Sequence, residues 1–253
     1  MYPGLTAYEI SFPGDGGDVI SAYFAGPLKP GRYPGVVVLH HLLGLDEPTM
    51  EIVRRFAANG YLAVCPNLHH REALEHGRDS AWSVSRAAGG VPDSRLVGDL
   101  AGALGYLRAA PDASGKVGVI GYCSGGRQAF LGACSLEMDA AIDCYGSFVT
   151  NETPPHIPLR FKPLLHLTAG LTCPMLGVFG GHDPNPSPAD AQLIAAEMAS
   201  HGKDFELLEY PDAGHGFFAV DREDHYNVHA ATDGWQRVFA FFGRHLAAEP
   251  PQG

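Results

Sequence analysis

Residues Val117-Gly-Val-Ile-Gly-Tyr-Cys-Ser-Gly-Gly126 constrain the fold of this chain more than any other stretch. A β-branched run breaks there into Gly-x-Cys-x-Gly and then into helix-forming sequence. A strand that turns sharply into a helix around one residue needs glycine on both sides, because the two backbones must approach with no Cβ between them. Gly121 and Gly125 meet that need. The turned residue, Cys123, would stand above the end of a sheet at a helix N-terminus, whose free N–H groups favour negative charge on sulfur and on a nearby oxyanion. The same residues would also suit a glycine-rich turn around an inert buried cysteine, so the rest of the chain must decide.

Two downstream segments weigh on that choice. Cys173-Pro-Met-Leu-Gly-Val-Phe-Gly-Gly-His-Asp183 is a second β-rich run, ending in a glycine pair and an aspartate. Phe205-Glu-Leu-Leu-Glu-Tyr210 reads as a strand and runs into Pro211-Asp-Ala-Gly-His-Gly-Phe-Phe218. Cys123, Asp183 and His215 each follow a predicted strand, so all three can reach one rim of a parallel sheet. Nucleophile, acid, histidine is the chain order of the α/β-hydrolases and differs from that of other triad folds.

The remaining pattern agrees. Tyr8–Phe12 and Val19–Phe24 flank Pro13–Gly17 as a hairpin. Gly35–Leu39 is a continuous apolar run suited to a strand buried on both faces. Helical spacing runs over Pro48–Asn59, and Tyr61–Cys65 is the next strand. Leu96–Leu107 is an amphipathic helix and Val117–Ile120 the elbow strand. Arg127–Cys134 continues the helix after it, and Ala140–Tyr145, Cys173–Phe179 and Phe205–Tyr210 complete the sheet. Ala189–His201 and Trp235–Leu246 are the last helices. Strands alternating with helices predict a single domain over residues 1–253 with an α/β-hydrolase fold: a doubly wound, mostly parallel sheet led by an antiparallel hairpin. The Pro-rich stretch 146–172 is expected to be either a pocket cover or a surface loop. The tail Glu249–Gly253 should fray.

Charge and cysteine usage narrow the partners. A formal net charge of -11 argues against nucleic acid and against an anionic membrane surface. No basic run precedes an apolar segment at the start, and no apolar run approaches the ~18–20 residues of a membrane span. Five scattered cysteines suit a reducing compartment, so a cytoplasmic location is expected. The oligomeric state is open between a monomer and a small homo-oligomer.

With these residues in place, the chain resembles the dienelactone hydrolase (carboxymethylenebutenolidase) family over nearly its whole length. The resemblance runs through residues 37–46, 60–68, 115–126 and 210–217, and the cysteine elbow followed by Gly-Gly is its most specific part. It implies hydrolysis of a small lactone or ester through Cys123, His215 and Asp183, with no metal or organic cofactor. Two positions depart from the family pattern. His41 stands where the family has a glutamate that contacts the thiol, and Ala219 stands where it has an arginine that grips the substrate carboxylate. Arg71, Arg78, Arg86, Arg127 or Arg222 could restore an anion contact.

Chemistry assigns the remaining roles. His215 is the base, Asp183 orients it, and a thioester forms on Cys123. The expected oxyanion donors are the backbone N–H groups of Ser124 and Leu42. Tyr122 and Arg127 are candidates for binding substrate, and Phe217 and Phe218 are expected either to wall the pocket or to pack the core of their loop. The histidine pairs His40-His41 and His69-His70 follow strands that should be neighbours. Three readings stand open for them: His41 tunes the thiol or a substrate group, the pairs bind substrate, or they are loop residues that have no chemistry or bind a divalent metal adventitiously. Neighbouring histidines on one extended segment diverge, which disfavours a dedicated zinc site. A general carboxylesterase or thioesterase and a non-catalytic binder are the alternatives to a lactone hydrolase.

Overall fold

The computed structural model describes residues 4–247, so Glu249–Gly253 lies outside the described residues. Eight strands form one sheet: β1 Leu5–Pro13, β2 Val19–Pro27, β3 Tyr33–Leu39, β4 Leu62–Pro66, β5 Ala113–Tyr122, β6 Ala140–Cys144, β7 Met175–Gly180 and β8 Phe205–Tyr210. Their order across the sheet is β1-β2-β4-β3-β5-β6-β7-β8. The β1/β2 and β2/β4 pairs are antiparallel, and all others are parallel. The expected doubly wound α/β-hydrolase architecture is therefore present, hairpin included. The strand order reverses at β3, which lies between β4 and β5. A crevice opens at such a switch point, beyond the carboxyl ends of the strands.

Among the described residues, seven α-helices flank the sheet: α1 Glu47–Ala58, α2 His70–His76, α3 Arg78–Ala87, α4 Asp93–Ala109, α5 Ser124–Ser135, α6 Pro188–Ser200 and α7 Val228–His245. Helix boundaries follow local chemistry. Asp46 caps α1 by accepting from Thr49 N–H, and Pro48 occupies its first turn. Ser187 and Asp190 form a reciprocal capping box at α6. Asn227 caps α7, so that helix begins seven residues before the expected Trp235. Neither α2 nor α3 is evident in the sequence. The first buries no residue and the second only Ala81 and Ser85, so neither has an apolar stripe to reveal it.

Apolar side chains from the two faces of the sheet form two cores. One gathers α4, α5 and α6 with residues such as Leu100, Phe130 and Ile194; the other gathers α1 and α7 with Phe56, Phe241 and Phe242. Helix α5 is buried along Ser124–Cys134, which suits its small and apolar residues, with Arg127 and Gln128 buried among them. At about 25 cal/mol per Å² of apolar surface, each fully buried Leu or Phe there favours folding by about 1.5–3 kcal/mol.

No residue of the stretch 146–172 lines the cavity above the strand ends. Val149 and Leu164 sit in the α4–α5 core, and Leu159 bridges Gly89. Phe161 lies under the guanidinium of Arg127 at 4.5 Å. Gly146 and Ser147 still bond to Asp143 and to the Asn185 carbonyl at the strand ends, and the apolar residues that follow fill the core on the far side of α5.

Candidate active site

Helix α5 begins where β5 ends, and Cys123 is the single residue between them. Its φ of 56° and ψ of −119° lie in a region that non-glycine residues avoid. The surroundings enforce this conformation. Cys123 N–H donates to Cys144 O at 3.0 Å, and its own carbonyl accepts from Gly126 N–H at 2.9 Å. A Cβ on Gly121 would collide with the Gly125 carbonyl, and one on Gly125 would collide with the carbonyls of Leu39 and His40. The glycines thus let α5 start hard against β3 as well as β5.

Asp183 and His215 arrive on the same rim from β7 and β8. Asp183 is almost fully buried, with Oδ1 held by Asn185 N–H at 2.8 Å. His215 Nδ1 donates to its Oδ2 at 2.8 Å. Burial works against charge on this imidazole, but hydrogen bonds to Asp183 and Cys123, and the charges of both, push its pKa up to about 10. The sulfur is thus a neighbour of the ring, and both line the same cavity. Tyr145 packs its ring edge against His215, with centroids 5.2 Å apart. It was expected to end a strand, but its φ of 44° turns the chain sharply one residue after β6.

A cavity of about 240 Å³ opens above Cys123. That is below the usual 300–1,000 Å³ of pockets for drug-sized ligands, so it suits a small substrate. Cys123, His215, Tyr122, Tyr145, Phe218 and Leu42 line it. Sequence reasoning missed Tyr145, Trp235 and Arg55. The last two come from faces of α7 and α1, and no local motif marks them as pocket residues. Ser124 and Leu42 have backbone N–H groups with no acceptor among the described residues, Ser124 as the first residue of α5.

Several candidates lie elsewhere. Phe217 is fully buried, packed against Tyr145, Tyr210 and Phe218, so it is core and not pocket wall. Arg127 is fully buried too. It forms a bidentate pair with Asp93 at 2.7 and 3.0 Å, with no access to the cavity. Arg71 pairs with Asp18 and Asp99, and Arg78 with Glu9. Arg222 does line the cavity, next to Ala219. His70 Nδ1 engages Ser21 Oγ at 2.9 Å, away from the rim. His40 and His69 are buried beneath the loop after β3, with ring centroids 5.1 Å apart. His41 alone of the four lines the cavity, but neither nitrogen is free to serve the thiol. Its Nδ1 accepts from Leu43 N–H at 3.2 Å, and its Nε2 pairs with Asp46 at 2.9 Å. Burial raises the Asp46 carboxyl, but bonds and charge from His41 and bonds from Thr49 hold it well below the usual carboxylate range. Among the described residues, no group of three His, Cys, Asp or Glu side chains is placed to hold a metal ion. No helix among them is long and apolar enough to cross a membrane.

Known proteins are similar to this chain over most of its length. The sequence profile of the dienelactone hydrolase family matches residues 20–246. A protein of Methylorubrum extorquens, provisionally named a carboxymethylenebutenolidase, is 31% identical over 97% of this chain and 83% of its own length. A protein of Yersinia pestis with the same provisional name is 31% identical over 98% of this chain and 92% of its own. Among solved structures, a provisionally assigned dienelactone hydrolase from Klebsiella pneumoniae superposes with a TM-score of 0.80 at 29% identity. That match covers 95% of this chain and 99% of that one. A dienelactone hydrolase-like promiscuous phosphotriesterase from metagenomic libraries shares the fold, with a TM-score of 0.78 at 21% identity over 96% of this chain and 100% of its own.

Proposed function

The chain belongs to the dienelactone hydrolase family, and from that premise we propose that it cleaves a small lactone or carboxylic ester by covalent catalysis at Cys123. One observation carries the reading: the imidazole of His215 is held between Asp183 and the sulfur of Cys123, at the edge of a cavity. With its pKa at about 10, His215 keeps its proton at neutral pH and stands as the cation beside a nucleophilic sulfur.

Attack forms a C–S bond and moves the carbonyl π electrons onto oxygen. The N–H groups of Ser124 and Leu42 are the donors for that oxyanion. Collapse restores the carbonyl and breaks the C–O bond, and the departing alkoxide takes the proton of His215. The neutral imidazole then accepts a proton from water, whose oxygen attacks the thioester. Collapse releases the acid and returns the sulfur with its pair. Asp183 fixes the ring tautomer and stabilises the cation throughout.

The cavity wall bears on the substrate. Arg222 and Arg55 line it, and neither forms a salt bridge among the described residues. We assign Arg222 the task of meeting an anionic group on the substrate, in place of the arginine missing at Ala219. Arg222→Ala should then raise KM about tenfold for an ester bearing a carboxylate and leave that for a neutral ester unchanged. Equal effects on both would remove the assignment. All five cysteines are free, consistent with a cytoplasmic protein.

Cys123→Ala should fold normally and lose p-nitrophenyl acetate hydrolysis by on the order of 10⁴-fold or more. Turnover within tenfold of the native chain would end the covalent reading.

A further inference from the structure

The doubled histidines form a single hydrogen-bonded set around the loop that follows β3. His40 Nδ1 donates to the carbonyl of His41 at 2.7 Å, and its Nε2 accepts from Leu68 N–H at 3.2 Å. His69 Nε2 donates to the carbonyl of Leu42 at 3.1 Å. His41 Nδ1 accepts from Leu43 N–H, and its Nε2 donates to Asp46, the cap of α1. Each bond defines a tautomer, because its partner is a carbonyl, a carboxylate or a backbone N–H. Both successive peptide groups, 41–42 and 42–43, are thus gripped by side chains from beneath.

We infer that His40, backed by His69, is a positioning residue for the oxyanion hole: it holds the His41 carbonyl inward so that the Leu42 N–H faces the cavity lined by Cys123. The inference rests on the cysteine mechanism proposed above. Its geometry is that of any trans peptide, whose C=O and N–H point in opposite directions across one plane. With the His41 carbonyl tied to the buried His40, the Leu42 N–H must point the other way. Leu42 lines the cavity, and its N–H has no acceptor among the described residues. The loop also lies against the elbow, because the His40 and Leu39 carbonyls are what a Cβ on Gly125 would strike. The other donor, Ser124 N–H, begins at that same contact.

The His41 carbonyl accepts one further bond, from Gly44 N–H at 3.1 Å, within the turn itself. A turn bond travels with its own loop, whereas His40 ties the peptide to the β4 side of the sheet through Leu68. The clamp also stays neutral. Burial, together with neighbouring His69, takes His40 down to about 3, and burial lowers His69 as well. Neither ring gains a proton that would reverse its accepting or donating atoms at ordinary pH.

The test separates aiming an oxyanion donor from general support. Acylation by p-nitrophenyl acetate passes through an oxyanion. Alkylation by iodoacetamide does not: sulfur forms a C–S bond to a saturated carbon, and iodide leaves with the C–I electron pair. His40→Leu should lower kcat for the ester about 10- to 100-fold, leave KM within about threefold, and leave the alkylation rate of Cys123 unchanged. His40→Asn, whose Nδ2–H can stand near the lost Nδ1–H, should recover most of the kcat. The matching pair His69→Leu and His69→Gln, scored the same way, carries the test if His40→Leu fails to fold. The inference falls if the Leu variants keep native kcat, or if ester turnover and alkylation fall together. A native chain that still hydrolyses the ester after Cys123 is fully alkylated defeats the cysteine mechanism itself, and this inference with it.

Discussion

The loop after β8 and the loop after β3 border the same sulfur, and each brings a histidine that behaves in the opposite way. His215 is pushed up to about 10 and His40 down to about 3. Burial lowers both, so burial does not distinguish them. The partners do. His215 faces a carboxylate and a sulfur, and both reward the cation. His40 faces a carbonyl, an N–H and another imidazole, and none of these offsets the lost hydration. One residue type thus yields a charged imidazole on one loop and a neutral strut on the other. Stability follows with opposite signs. The raised pKa of His215 contributes stability that is full below about 6.5 and is lost as pH rises through about 10. The depressed pKa of His40 makes acidification below about 6.5 costly, because there the unfolded chain binds a proton that the folded chain refuses.

The comparison breaks most sharply at Asp183. Asp183→Asn should lower kcat for p-nitrophenyl acetate by about 10³–10⁴-fold. It should also bring the His215 titration, followed by nuclear magnetic resonance, down by more than one unit. His40 should stay neutral at pH 5 in both proteins. If the variant's His215 still titrates near 10, the carboxylate is not what charges it.

A smaller effect sharpens the same rule with an acid. Asp143 on β6 is buried, and among the described residues its one hydrogen-bond partner is a backbone N–H, that of Gly146 at 2.7 Å. Burial pushes it up to about 7 despite that bond. Between pH 4 and 7 the folded chain therefore holds a proton that the unfolded chain has released, so stability declines as pH rises through this window. Asp143→Asn removes the titration. Thermal unfolding should show the variant gaining several degrees on the native chain between pH 5 and pH 8. Parallel melting curves across that range would mean that a backbone partner alone suffices to keep a buried group charged.

Some residues disclose their place in isolation. The Gly-x-Cys-x-Gly elbow does, because a strand-to-helix reversal around one residue is a demand on local backbone, met only when Gly121 and Gly125 lack Cβ atoms. Asp183 and His215 do too, because each follows a β-branched or apolar run that must end at one rim of a parallel sheet. Other residues carry no such mark. Arg127, directly after the Gly-Gly of the elbow, looked available to an anion. It turned inward because Asp93 and Phe161, distant in sequence, meet it there. Phe217 and Phe218 are adjacent and alike, yet one is core and the other pocket wall.

The sequence alone therefore determined the strand order's consequences, the elbow and the three residues raised above it, all of which follow from backbone geometry and hydrophobic period. Only the tertiary structure decided what the four paired histidines do, which arginine reaches the cavity and where the stretch 146–172 lies. A side chain's charge and direction are set by the neighbours that packing delivers, and those neighbours come from strands and helices scores of residues away.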